Sequence, residues 1–307
     1  MGYLKDNKSP WFVKRPASMN FLQVAMLRWY NANLTASFAV GPFPFGLAFD
    51  GANMWVANNN GNNVSKLRAC DGANLGTFAV GTFPEGVAFD GTNIWITNFG
   101  GDNVTKLRAS DGTTLGTFAV GTGPEGVAFD GANIWVANAS SNNVTKLQAS
   151  DGANLGTFAV GNQPRAVAFD GDHIWVTNRL GNSVTKLRAS DGTSLGTFAV
   201  GTFPVGVAFD GANIWVANAN SNNVTKLRAS DGANLGTFSV GSNPRAAAFD
   251  GANMWIANTS SNDVTKLRAR DGANLGTFSV GRAPENVAFD GANIWVSNSV
   301  SNTVSKL

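Results

Sequence analysis

The chain has 307 residues, of which only 14% are charged, and its formal net charge is +2. So small a charge excludes the strongly basic surface of a nucleic-acid-binding protein, and no apolar run approaches the ~18 residues that cross a bilayer. Glycine is abundant, at 36 residues, and together with Asn, Thr, Val and Phe it favours strands and tight turns over helices.

The first segment in chain order is an extension, residues 1–27, that precedes any repeat. Leu22, Ala25, Met26 and Trp29 follow one another at helical spacing, so we expect a short helix here, and a mobile tail is the alternative. The first residues hold no continuous apolar stretch of the kind that a signal peptide needs. The sequence therefore predicts a cytoplasmic protein by default.

Residues 28–307 consist of seven 40-residue units with no insertion or deletion between them. Asp-Gly pairs and a lysine recur with the same step of 40 as a tryptophan. The tryptophans are Trp55, Trp95, Trp135, Trp175, Trp215, Trp255 and Trp295. A strict period of this length with strand-type composition is typical of propeller blades rather than of helical repeats.

Each unit contains four short strand-like runs, here called strands a to d from the channel outward. In one copy, strand a is 86–90, strand b is 94–98, strand c is 104–108 and strand d is 115–120. Asp90 and Gly91 separate the first two runs and form a strong hairpin signal. Each unit therefore predicts one antiparallel blade, with the strand-b tryptophan filling the gap to its neighbour.

The last copy ends after strand c, at Leu307, without a strand d of its own. The segment 37–40 reads Ser-Phe-Ala-Val and matches Thr-Phe-Ala-Val at 77–80, so we expect 35–40 to complete the last blade. This pairing removes two exposed strand edges. The sequence predicts an all-β, closed seven-bladed β-propeller, four antiparallel strands per blade, closed by an N-terminal strand and monomeric.

Several motifs resemble one family of propeller repeats. Ile-Trp-Val-Thr-Asn at 174–178 resembles the YVTN signature, with Trp in place of the usual Tyr, and Ser-Asn-Thr-Val-Ser at 301–305 matches its flanking strand. The resemblance covers about residues 35–307 and extends more loosely to NHL-type and streptogramin-lyase-type propellers. The YVTN family occurs in surface-layer and other exported proteins, often without assigned chemistry. The resemblance implies a fold and a binding surface rather than a reaction.

The copies differ most strongly in two loops, the crossing from strand d to the next strand a and the loop from b to c. Strand alternation places both loops on one face of the ring, which we call the variable loop face, and the Asp-Gly turns on the other. Loops on a rigid scaffold commonly carry ligand sites. The alternative is drift at positions where nothing packs.

One position per copy directly follows the crossing proline and should lie near the channel mouth. These seven residues, the channel ring, are Phe45, Glu85, Glu125, Arg165, Val205, Arg245 and Glu285. Three acids and two bases could bind a polar ligand asymmetrically, or pair with one another, which stabilises little when exposed. The predicted contact surface adds Phe83, Phe99, Arg179 and Phe203.

The sequence shows no catalytic constellation. Its one histidine, His173, lies in an a–b turn on the face opposite the variable loops, and the glutamates follow no metal-binding motif. We therefore expect a non-enzymatic binding or interaction scaffold without metal or cofactor, whose ligand is an unidentified protein, glycan or cell-surface component. The alternatives are a streptogramin-lyase-like or lactonase-like enzyme with an unrecognised site, and a recently amplified or designed repeat without an evolved ligand.

Overall fold

The computed structural model describes residues 36–307, so the predicted extension 1–27 lies outside the described residues. The described chain is all-β and forms seven four-stranded antiparallel sheets. Its only helical turns are two short 3-10 segments, Asn59–Gly61 and Phe99–Gly101. No helix within 36–307 is long and apolar enough to cross a membrane.

The sheets are the blades of a propeller, numbered here in chain order. Strand β1 is Ala36–Ala39. Blade 1 comprises β2 (Pro44–Phe49), β3 (Asn53–Asn58), β4 (Asn63–Arg68) and β5 (Asn74–Ala79). Blade 2 comprises β6 (Pro84–Phe89), β7 (Asn93–Asn98), β8 (Asn103–Arg108) and β9 (Thr114–Ala119). Blade 3 comprises β10 (Pro124–Phe129), β11 (Asn133–Asn138), β12 (Asn143–Gln148) and β13 (Asn154–Ala159).

The remaining blades repeat the same order, with shorter strands in blade 7. Blade 4 comprises β14 (Pro164–Phe169), β15 (His173–Asn178), β16 (Ser183–Arg188) and β17 (Ser194–Ala199). Blade 5 comprises β18 (Pro204–Phe209), β19 (Asn213–Asn218), β20 (Asn223–Arg228) and β21 (Asn234–Ser239). Blade 6 comprises β22 (Pro244–Phe249), β23 (Asn253–Asn258), β24 (Asp263–Arg268) and β25 (Asn274–Ser279). Blade 7 comprises β26 (Pro284–Phe289), β27 (Ile294–Asn298) and β28 (Thr303–Lys306), completed by β1.

The ring closes through blade 7, as the sequence predicts. Strand β1 pairs antiparallel with β28, and Phe38 lies opposite Val304 in the register. The innermost strands of consecutive blades are in contact around the whole ring, including β2 of blade 1 with β26 of blade 7. The predicted seven-bladed propeller with a strand-closed last blade is confirmed.

A buried tryptophan in every blade packs between that blade and the next. Trp55 is fully buried and shares a cluster with Ile94 and Leu107 of blade 2. Its ring lies 5.4 Å from that of Phe78. The indole N–H donates to the Asp50 carboxylate at 2.8 Å, so the turn aspartate also satisfies a polar group that burial would otherwise leave unpaired.

In six of the seven copies, the lysine that recurs every 40 residues donates to a backbone carbonyl of the next blade, a role that its spacing alone did not indicate. Lys66 is buried, and its ammonium lies 5.1 Å from the centre of the Trp55 ring. It donates to the carbonyl of Ala109 in blade 2 at 2.6 Å. Lys306 makes the same bond to Ala69 at 2.7 Å, across the seam where the ring closes. A buried ammonium thus gains the acceptors and the aromatic face that compensate for lost water.

The a–b turns are held by their aspartates on the face opposite the variable loops. Asp50 Oδ1 accepts from the amides of Ala52 and Asn53, at 2.9 and 2.6 Å, and Gly51 takes the positive φ of 95° that the turn requires. His173 occupies the asparagine position of such a turn, and its Nδ1 lies 3.2 Å from Asp170. The histidine is therefore part of a turn rather than of the channel.

Candidate functional site

The two variable loops of each blade are joined to each other by backbone hydrogen bonds. In blade 1 the amide of Asn59, after strand b, donates to the carbonyl of Phe43 in the crossing at 3.0 Å. In blade 2 the amide of Phe99 donates to Phe83 in the same way, at 3.0 Å. The crossings and the b–c loops therefore lie on one face, which is the variable loop face predicted from strand alternation.

All seven residues of the channel ring lie around one central cavity of about 220 Å³. Each follows the proline that begins an innermost strand, so the backbone delivers one ring residue per blade. Neighbouring innermost strands approach closely: a Cβ on Gly86 would lie 2.4 Å from the carbonyl oxygen of Glu125. The cavity is smaller than the roughly 300–1,000 Å³ of sites for drug-sized ligands, and its lining carries three glutamates and two arginines.

Arg165 of blade 4 reaches across the channel and pairs with the acidic side of the ring. Its guanidinium donates to the carboxylate of Glu125 and lies 4.0 Å from that of Glu85. It also lies 5.6 Å from the centre of the Phe45 ring, on blade 1. Only 11% of the Arg165 side chain and 5% of the Glu125 side chain are exposed, so this pair is buried, in contrast to the exposed pairing considered from the sequence.

Arg179 extends the positive side of the cavity from the b–c loop of blade 4. Its Nη2 lies 3.7 Å from Glu125 Oε1, and its Nε donates to Gln163 Oε1 at 3.0 Å. The guanidinium lies 5.2 Å from the ring of Phe203, which belongs to the next crossing. The structure thus brings Arg179 and Phe203 together beside the channel ring.

Arg245 and Glu285 form another incomplete pair of the cavity. Arg245 Nη1 lies 3.8 Å from Glu285 Oε2, close enough for attraction but too far for a hydrogen bond. The single proton of the Ser299 hydroxyl goes to the nearer carbonyl of Ala283 at 3.0 Å, against 3.5 Å to Glu285 Oε1. Glu285 Oε2 is buried and has no hydrogen-bond partner within residues 36–307.

Burial and neighbouring charges shift the ionisation of these groups. Burial raises the pKa of Glu85 to about 7, although Arg165 opposes the shift. Burial likewise raises the pKa of Glu285, against the attraction of Arg245. Burial lowers the pKa of Arg179, whereas at Arg165 the attraction of Glu125 and Glu85 outweighs burial and raises the pKa. For the carboxyl groups of Glu85 and Glu285, the attraction of the nearby arginines therefore does not offset the effect of burial.

The remaining predicted contact residues lie at different depths. Val205 is buried and lines the cavity between Arg165 and Arg245. Phe83 and Phe99 are 49% and 36% exposed, on the outer rim of the variable loop face rather than in the cavity. Phe83 adopts a positive φ of 51°, which is costly for an aromatic residue. The structure groups the channel ring with Arg179 and Phe203 and leaves the two exposed phenylalanines outside.

The sequence analysis missed hydroxyl groups that fix the backbone of the ring. Thr97 Oγ1 accepts from the amide of Gly86 at 2.7 Å and donates to the carbonyl of Glu125 at 2.6 Å. Ser297 makes equivalent bonds to Asn286 and Phe45. We call each such pair of bonds a hydroxyl bridge. The sequence did carry a signal for these hydroxyl groups, because four other copies have alanine at this position, as at Ala137.

The cavity presents charged side chains that the ring of strands holds in place. Within residues 36–307 no group of three or more His, Cys, Asp or Glu side chains is arranged to hold a metal ion. The cavity lining consists of carboxylates, guanidiniums, one amide, Phe45 and small aliphatic residues. Such a lining can attract, orient and exclude charged molecules.

Comparison with known proteins supports the fold. No protein-family model matches this chain, and no curated protein does. A hydrazine synthase of Kuenenia stuttgartiensis matches with a TM-score of 0.78 and 20% identity, over 87% of this chain and 95% of that one. A streptogramin B lyase matches with a TM-score of 0.76 and 18% identity, over 89% and 96%. A catalytically inactive virginiamycin B lyase from Staphylococcus aureus with quinupristin matches with 0.77 and 17%, over 89% and 98%.

These similarities concern architecture. At such low identity they show a shared propeller fold, in line with the looser resemblance to streptogramin-lyase-type propellers expected from the sequence. They also show that enzymes are built on this fold. The YVTN resemblance stays a prediction.

Proposed function

We propose that this chain is a non-enzymatic binding scaffold whose variable loop face binds a small charged ligand at the mouth of the central channel. The observation that carries the proposal is the convergence of the seven channel-ring residues on one cavity of about 220 Å³, with Arg179 beside it, 3.7 Å from Glu125. These are the positions at which the copies differ, whereas the residues that build the blades are repeated. A protein, glycan or cell-surface component presenting such a charged group stays a predicted partner of the same face.

The electrostatics of the cavity support binding. A rigid ring of strands holds the charges in place, so little reorganisation is needed when a ligand enters. Buried charges also interact more strongly than exposed ones because water does not screen them. Glu285 Oε2, which lacks a hydrogen-bond partner within the described residues, would gain from a donor that a ligand brings.

A lyase is the second candidate, and one observation favours it. The pKa of Glu85 is raised by burial to about 7, which is the range suited to a general base at neutral pH. Two of the structures that share the fold are lyases by name.

The test is thermal unfolding of the protein with a panel of small amines, carboxylates, zwitterions and neutral sugars. We expect at least one charged class to raise the melting temperature, because a ligand that binds only the folded state stabilises it. The shift should be lost in Glu285→Gln and kept in Arg228→Gln, since Arg228 is half exposed and pairs with Asp231 away from the cavity.

Two results would decide against the proposal. If none of the charged classes changes the melting temperature, the channel mouth is not a binding site. If mass spectrometry shows that a binding compound is consumed over time, and Glu85→Gln stops this without abolishing binding, the protein is an enzyme.

A further inference from the structure

The charges of the cavity are sorted into two arcs around the ring. Glu285, Glu85 and Glu125 belong to blades 7, 2 and 3, with Phe45 of blade 1 between the first two. Arg165 and Arg179 belong to blade 4 and Arg245 to blade 6, with Val205 of blade 5 between them. One side of the channel is therefore acidic and the opposite side basic, and the six charges are formally balanced.

Four of these six groups make no hydrogen bond to a group of opposite charge. Arg165 and Glu125 are directly hydrogen-bonded to each other. By contrast, the only side-chain hydrogen bonds of Arg179 and Arg245 within residues 36–307 are made by Nε, to Gln163 and Asn243, which leaves their terminal nitrogens without acceptors.

On the acidic side the deficit is in donors. Glu85 has no hydrogen-bond donor within the described residues and lies 4.0 Å from Arg165. Glu285 is only 7% exposed, and its Oε2 has no hydrogen-bond partner in the same part of the chain. Elsewhere in the protein even an exposed pair closes fully, as Arg228 and Asp231 do at 2.9 Å. The open pairs are thus particular to the cavity.

Building on the proposed function, we infer that the ligand is a small zwitterion, whose ammonium lies between Glu285 and Glu85 and whose carboxylate lies between Arg179 and Arg245. The ammonium would donate to two carboxylates and contact Phe45, an arrangement that favours cations. The carboxylate would accept from the two guanidiniums over the apolar side chain of Val205.

A zwitterion fits better than a ligand of one charge for two reasons. A cation alone would leave the guanidiniums of Arg179 and Arg245 without a countercharge from the ligand. An anion alone would leave the buried Glu285 Oε2 without a donor, and a buried polar atom without a partner is costly. The volume of about 220 Å³ admits a molecule of the size of an amino acid rather than a long peptide.

Binding should be coupled to a proton on Glu85. This carboxyl faces Arg165, Glu125, Arg179 and Glu285, and burial raises its pKa to about 7. A bound ammonium favours the ionised form, so binding at pH 7 should release protons. Because the ionised fraction rises from about a tenth at pH 6 to about nine-tenths at pH 8, affinity should rise roughly tenfold over that range.

The experiment is calorimetric titration of the full chain with four probes. L-Alanine and 4-aminobutyrate carry both charges at different spacings, and ethylamine and propionate carry one each. We expect at least one zwitterion to bind at least tenfold more tightly than either single-charge probe. Heats measured in two buffers should report proton release, and Arg245→Gln and Glu285→Gln should each weaken binding at least tenfold, whereas Arg228→Gln should not change it.

Each outcome either supports the inference or overturns it. If ethylamine or propionate binds as tightly as the zwitterions, the site recognises a single charge and the inference is wrong, although the proposed binding function stands. If the zwitterions do not bind and another class from the thermal panel does, the inference is likewise wrong and the proposed binding function stands. If nothing binds, both fail. The comparison among the four probes needs only the native chain, so it decides the question even if a variant does not fold.

Discussion

Arg165→Met tests whether the cavity charges form a coupled, buried unit. The change removes the guanidinium that lies between Glu85 and Glu125 but keeps a long unbranched side chain. Because both partners of the Arg165–Glu125 pair are buried, with 11% and 5% exposure, removing one leaves the other uncompensated, at a cost of about 3–5 kcal/mol. Glu125 keeps only Arg179, 3.7 Å away. We expect the free energy of unfolding at pH 8 to fall by about that amount.

The assay is urea unfolding followed by tryptophan fluorescence, since urea does not screen charges as guanidinium chloride does. The loss should be smaller at pH 5 than at pH 8, because the unpaired carboxyl groups then take up protons and no charge is left buried. Adding Glu125→Gln to Arg165→Met should recover most of the loss, since both charges are then absent. Arg228→Met removes one member of an exposed pair and should leave stability unchanged.

Three results would refute this reasoning. A loss below about 1 kcal/mol at pH 8 would place the pair with ordinary exposed ion pairs. An equal loss at pH 5 and pH 8 would mean that packing rather than charge is responsible. A double variant as unstable as Arg165→Met would mean that Glu125 is not the partner that matters.

Three shorter predictions concern Glu85, Phe83 and Lys146. Because the folded-state pKa of Glu85 is raised from 4.5 to about 7, stability should fall by up to roughly 3 kcal/mol as pH rises through this window, and Glu85→Gln should flatten the urea-unfolding profile. Phe83→Asn should raise the unfolding free energy by about 1 kcal/mol, since Phe83 is exposed at a φ of 51° and Asn243 occupies the equivalent place at 57°; a loss of stability would show that Phe83 packs usefully. Lys146→Met should cost about 1–3 kcal/mol in urea, because the Ala189 carbonyl loses its 2.7 Å donor, and a neutral result would mean that this bond is dispensable.

The fold was predictable from the sequence because one regularity determines it. A tryptophan, an Asp-Gly turn and a lysine repeat with a step of 40. The tryptophan and the lysine contact the next blade, and the turn aspartate bonds the tryptophan of its own blade. Trp55, Asp50 and Lys66 form one such set. Closure followed from the segment 37–40, whose match to 77–80 identified the missing strand. The structure of residues 1–27 was not predictable in this way, since no repeat constrains it.

The position of the site was predictable from the sequence, but the pairing of its charged side chains was not. The residue after each crossing proline begins an innermost strand, so its place at the channel follows from the topology alone. Which charges meet depends on side-chain reach: Arg165 extends from blade 4 to the Phe45 ring of blade 1, and no spacing in the sequence shows this. Phe83 lies on the exposed outer rim of the same face, at a left-handed φ of 51° that no spacing in the sequence shows, and its role as a contact residue stays a prediction.

The hydroxyl bridge of Thr97 provides a last test, because it separates stability from positioning. Thr97→Ala removes the acceptor of the Gly86 amide and the donor to the Glu125 carbonyl, at a cost of about 1–3 kcal/mol. Alanine occurs at the equivalent position of other copies, as at Ala137, so the blade should still fold.

If the bridge positions the cavity charges, Thr97→Ala should also move the pH at which the Glu85 carboxyl titrates, followed by NMR, and Thr97→Ser should restore it. Ser297→Ala breaks the equivalent bonds beside Asn286 and Phe45 and should lower stability without moving the Glu85 titration. A loss of stability in Thr97→Ala with an unchanged Glu85 titration would mean that the bridge is purely structural. The copies would then differ at this strand position for reasons unrelated to the cavity, and the variable loops alone would determine the site.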